Sequence, residues 1–63
     1  MTKKDIVNIL MNRDGLTEKE AEYIINETVD MINEQLDAGK SYLVEDIMQT
    51  MLGLEMDYVF ALI

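Results

Sequence analysis

Thr17 to Leu36, TEKEAEYIINETVDMINEQL, repeats its apolar residues at the α-helical period along its whole length. Wound as a helix, Ala21, Ile24, Ile25, Thr28, Val29, Met31, Ile32 and Leu36 share one side, and Glu20, Tyr23, Glu27, Asp30 and Glu34 the other. Thr17 and Glu20 make a T-x-x-E capping box, and Leu16 and Ala21 occupy the staple positions beside it. Glu18 and Glu20 lie where the helix dipole favours negative charge. Gly39 supplies a left-handed stop. At about 1.5 Å per residue the rod is roughly 30 Å long. Its apolar arc of about 160° exceeds the roughly 100° that one packing neighbour covers. The helix therefore needs neighbours on more than one flank.

The flanking segments read as shorter helices. Thr2, with Asp5 three residues on, opens a first helix whose apolar side is Ile6, Val7, Ile9 and Leu10, ending near Asn12 or Arg13. Asp14-Gly15 is a turn; a calcium loop fails there because its first ligand would fall on Leu10. After Ala38-Gly39-Lys40, Ser41 is the expected N-cap of a third helix that buries Leu43, Val44, Ile47, Met48, Met51 and Leu52 and stops at Gly53. Leu54 to Ile63 reads as a short fourth helix, with Met56, Val59, Phe60, Leu62 and Ile63 packed onto the domain or a second subunit. Helix, Gly-Leu, helix occurs at Gly15-Leu16 and again at Gly53-Leu54, a pattern any two helical hairpins share. The expected fold is all-α: residues 1–63 as one small four-helix domain of two helical hairpins packed around a long second helix.

With 63 residues and neither cysteine nor histidine, the chain can form no disulfide and no Cys/His zinc site. Its 49% hydrophobic content suffices for a core, and small unstapled scaffolds commonly gain burial by oligomerising. The same two absences remove the usual general base and thiolate nucleophile. The hydroxyls of Thr2, Thr17, Thr28, Ser41 and Thr50 fall at caps or on helix faces, and the lysines at helix starts and turns. The chain is therefore expected not to be an enzyme and to carry no cofactor. Glu27, Asp30 and Glu34 line one convex helix face and do not converge into a metal cage. No signal peptide is visible, and the longest apolar run, Tyr58 to Ile63, is far short of the roughly 20 residues a membrane span requires. A cytoplasmic protein of a bacterial cell, without membrane contact, is the expectation.

Met1-Thr2-Lys3-Lys4-Asp5-Ile6-Val7, Gly15-Leu16-Thr17, Ala21-Glu22, Ile32 and Leu36, followed by Ala38-Gly39-Lys40, resemble the N-terminal helical half of the HU/IHF histone-like DNA-binding family. The resemblance covers residues 1–40 and implies a dimerising helical hairpin, hence a homodimer. The family continues with β-strands and a basic arm that enters the minor groove. This chain continues Ser41-Tyr42-Leu43-Val44-Glu45-Asp46-Ile47, helical and acidic, so no DNA-contacting residue of the family carries over. In its small size, acidity and short capped helices the chain is also similar to bacteriophage accessory proteins.

The net charge of −8 disfavours nucleic acid and suits a basic partner. The candidate partner-binding residues are Glu20, Tyr23, Glu27, Asp30, Glu34 and Asp37, a ridge with one aromatic among carboxylates. Its bland role is solubility. Its carboxylates recur about every 6 Å, against about 3.4 Å between phosphates of one DNA strand, so only two ridges in a dimer would approach DNA mimicry. The function expected is a non-enzymatic, phage-type inhibitor that occupies a basic surface of a host nucleic-acid-handling protein, without binding nucleic acid itself. The alternative is an HU-like dimerising structural protein that lacks its own DNA-binding arm. The methionines of the third and fourth helices, Met48, Met51 and Met56 with Phe60, are expected to fill the core or to form a groove or dimer seam.

Overall fold

A computed structural model describes residues 1–63, all helix, turn and loop with no strand. The first helix, α1, is Lys3–Asp14 and the second, α2, is Glu18–Asp37. The α2 rod is continuous over 20 residues, in a molecule measuring 34 × 19 × 18 Å. Its capping box is made: the Glu20 N–H donates to the Thr17 hydroxyl at 3.2 Å, and the Thr17 N–H to the Glu20 carboxylate at 2.9 Å. At α1 the Thr2 N–H donates to the Asp5 carboxylate at 2.8 Å, while the Asp5 N–H donates to the Thr2 carbonyl at 3.0 Å.

Glycine ends both helices in the left-handed region. At Gly15 (φ 69°) a single bond runs from its N–H to the Met11 carbonyl at 3.0 Å. The α1 helix thereby extends to Asp14, slightly past the end expected from sequence. At Gly39 (φ 74°) a two-bond Schellman motif forms, Lys40 N–H to Gln35 at 2.8 Å and Gly39 N–H to Leu36 at 3.0 Å.

The third helix is not the uniform α-helix expected. Ser41–Leu43 is 3-10, Val44–Ile47 is α and Met48–Leu52 is π, without a break between them. Ser41 lies inside the tight first turn, started by Leu43 N–H to the Lys40 carbonyl at 3.0 Å, and is not the N-cap. Gly53 (φ 64°) closes the wide last turn.

Met56–Ala61 is a 3-10 helix as well, which corrects the expected packing of that segment. Three residues per turn align Val59 with Leu62, and Phe60 with Ile63. Val59 is buried and Leu62 half-buried, whereas Phe60 and Ile63 are 77% and 61% exposed. The expectation that these last two side chains pack on the domain does not hold within the chain.

The α1 helix packs on α2, the third helix packs on α2, and the last 3-10 helix touches both α1 and the third helix. The fully enclosed apolar core is Ile6, Leu10, Ala21, Ile25, Ile32, Met48, Leu52 and Val59. From α2 only Ala21, Ile25, Thr28 and Ile32 are buried, a narrower stripe than the expected arc. Met31 and Leu36, on opposite flanks, are each 40% exposed. Met48 is core, which removes it from any surface groove.

Candidate interaction face

All six residues of the ridge, Glu20, Tyr23, Glu27, Asp30, Glu34 and Asp37, are exposed along one unbroken side of α2. The structure joins only two of them: the Tyr23 hydroxyl donates to the Glu27 carboxylate at 2.9 Å, one helical turn away. That bond, and the negative charge behind it, push the Tyr23 phenol above its ordinary pKa. Tyr23 is 64% exposed, so its ring is available contact area. Glu20 is committed to the cap, and the Thr17 N–H donated to it holds its carboxyl below the ordinary value.

Beside the ridge, α2 shows its uncovered apolar flank. Leu16, Lys19, Glu20, Tyr23 and Ile24 line an open hollow of ≈ 350 Å³. Further along, Met31 and Gln35 of α2 with Leu43, Asp46, Ile47 and Thr50 of the third helix line one of ≈ 200 Å³. Both are shallow and open to solvent; neither encloses a reactive group. No group of three or more His, Cys, Asp or Glu side chains is placed to hold a metal ion, and no helix is long and apolar enough to cross a membrane.

Arg13 is the residue that sequence reasoning passed over. Its guanidinium forks onto Asp14 (2.9 and 2.8 Å) and donates to the carbonyls of Leu52 at 2.6 Å and Gly53 at 3.3 Å. The last carbonyls of a helix have no partner within it, so a cation there serves both hydrogen bonding and the helix dipole. Asp14 raises the Arg13 pKa, and the Arg13 hydrogen bond lowers that of Asp14. An arginine in the last turn before a glycine is a readable signal, but the distant carbonyls it serves are not.

These features define an acidic, all-helical body with an exposed acidic ridge and an open apolar flank. Residues 1–52 match the model of the family described as Bacterial DNA-binding protein. The chain belongs to that family, the one that residues 1–40 resemble. The searches of curated proteins and of solved structures gave no match.

The match reaches Leu52 and so extends past the residues 1–40 that carry the resemblance into the third helix, which is helical as expected. It overturns the reading of the chain as a phage-type inhibitor or DNA mimic, because the family is described by binding DNA and not by imitating it. The exclusion of nucleic acid as a partner, drawn from net charge alone, does not stand beside that description either. Net charge bears on association in general; it does not decide where a family's DNA contacts are made. The description names DNA binding and no reaction.

Proposed function

We propose that this chain is a dimerising structural subunit of the bacterial DNA-binding protein family, working by helical pairing and not through a DNA-binding arm of its own. The observation that carries this reading is the family match over residues 1–52, on a chain whose residues 41–52 are helix. Residues 1–63 act in it as one helical domain and pair as a homodimer. Large apolar side chains left in solvent, Phe60, Ile63, Met31 and Leu36 among them, favour pairing. Residues 41–52 are helix with Glu45 and Asp46 and no basic residue, so that segment supplies no phosphate-binding arm. Contact with the duplex therefore falls to basic subunits that assemble with this one. The ridge from Glu20 to Asp37, with Tyr23 on it, is the face such a basic subunit would meet.

Size exclusion with light scattering tests the pairing, and a DNA mobility shift with and without an added basic family member tests the assembly. A dimer, together with a DNA complex whose migration changes on adding this chain only when the basic subunit is present, is the expected pair of results. A monomer at every concentration overturns the reading.

A further inference from the structure

The last 3-10 helix lies past the residues that match the family, and one side of it is bare. Val59 is buried and fixes this helix on the body, so its outer side is a preformed surface. With three residues per turn, Asp57 and Phe60 share that outer side, and Ile63 continues it just past the helix end. All three are exposed, Phe60 most of all. At the acidic end, Glu55 and Asp57 line an open hollow of ≈ 350 Å³ together with Met1 and Tyr58. We propose that this stripe is a docking site for a helical segment of a partner protein, one that carries a cation and two large apolar residues at successive four-residue steps.

Spacing and charge point to the same occupant. At about 2.0 Å per residue, Asp57, Phe60 and Ile63 follow one another at about 6 Å along the stripe. Residues four apart on an α-helix are also separated by about 6 Å, so a Lys-x-x-x-Leu-x-x-x-Leu face meets all three in order. Phe60 and Ile63 supply the apolar contact. Neither Glu55 nor Asp57 has a cation of its own: no lysine or arginine occurs from Ser41 to Ile63, and the chain's one ion pair is Arg13 with Asp14. The partner's cation is therefore the complement of this end of the stripe.

A second copy fits the stripe poorly. Laid parallel, two such stripes set acid against acid. Laid antiparallel, each Asp57 meets the Ile63 of its copy and loses water without gaining a cation. Pairing of copies thus uses other faces and leaves this one free. An anionic lipid surface is repelled by the same acids and by the net charge of −8. The site is separate from the α2 ridge and stands whether or not the chain dimerises.

Fluorescence anisotropy of a labelled, alanine-based helical peptide bearing Lys-x-x-x-Leu-x-x-x-Leu tests this on the full chain, beside a scrambled peptide of the same composition and phosphatidylglycerol vesicles. Wild type is expected to bind the ordered peptide at least about tenfold tighter than the scrambled one. Phe60→Ser is expected to lose at least about tenfold in that affinity, with circular dichroism showing the fold intact. If Phe60→Ser unfolds, Ile63→Ser supplies the same test. Asp57→Lys is expected to weaken binding several-fold at low salt and little at high salt. The ridge variant Glu27→Gln/Asp30→Asn/Glu34→Gln is expected to stay within about twofold of wild type. No preference for the ordered peptide, full affinity in Phe60→Ser, or an equal loss in the ridge variant overturns the proposal. So does a wild type that takes up the vesicles and not the peptide, or a wild-type dimer that Phe60→Ser dissociates, which gives the stripe to a second copy.

Discussion

Arg13, in the last turn of α1, ties that helix to the end of the third one: its N–H groups reach the Asp14 carboxylate and the carbonyls of Leu52 and Gly53. Because much of this cation is exposed, its net value is about 1 kcal/mol. Arg13→Ala should lower the thermal midpoint by about 4–8 °C for that loss in a chain this small. Arg13→Lys should recover only part of it, since an ammonium cannot reproduce the planar fork. Glu20 makes a second prediction. Its folded pKa is depressed by the Thr17 N–H, so its contribution is full above the ordinary carboxylate value of 4.5 and is lost as pH falls through the lowered one. Glu20→Ala should therefore be less stable than wild type at pH 7, with the gap between their thermal midpoints closing as the pH falls below 4.5 and through the lowered folded value. A gap that stays constant across that range would show that the carboxylate does not work through the cap.

At the scale of elements, α2 carries the core. Ile25 is wholly enclosed, and Ile25→Ala should cost about 2–5 kcal/mol by chemical denaturation. A chain of this length holds about 3–9 kcal/mol in total, so the variant approaches unfolding. Buried Thr28 sits in the same stripe, but its hydroxyl is satisfied by its own helix, donating to the Ile24 carbonyl at 2.7 Å. Thr28→Val should change stability by less than about 1 kcal/mol. The α2 helix was legible because its evidence is local: a cap, a period and a glycine stop lie within one stretch of sequence. Ser41–Leu52 was legible as a helix but not in its pitch. The tight entry is set by the Gly39 turn directly before it, and the exit is met by Arg13, 39 residues away in sequence. For the last segment the apolar content was visible, but a three-residue repeat sent Phe60 and Ile63 outward where a simple count of apolar residues sent them in. The ridge was legible in full as an exposed line, because charged residues at helical spacing stay solvated. That Glu20 belongs to the cap and Tyr23 to Glu27 shows how much of the line is local bonding.

At the scale of the whole molecule, the surplus of negative charge and the surplus of exposed apolar surface act against each other. In the proposed dimer the first opposes pairing at low salt, and the second favours it once the charge is screened. In the proposed function, DNA binding belongs to the assembly and the pairing of helices to this chain. The most direct test is the molar mass in solution by light scattering across a concentration series at two salt levels. The account predicts a mass that rises from 7.3 kDa toward twice that value, sooner at high salt. A mass fixed at 7.3 kDa at every concentration and both salt levels would contradict it.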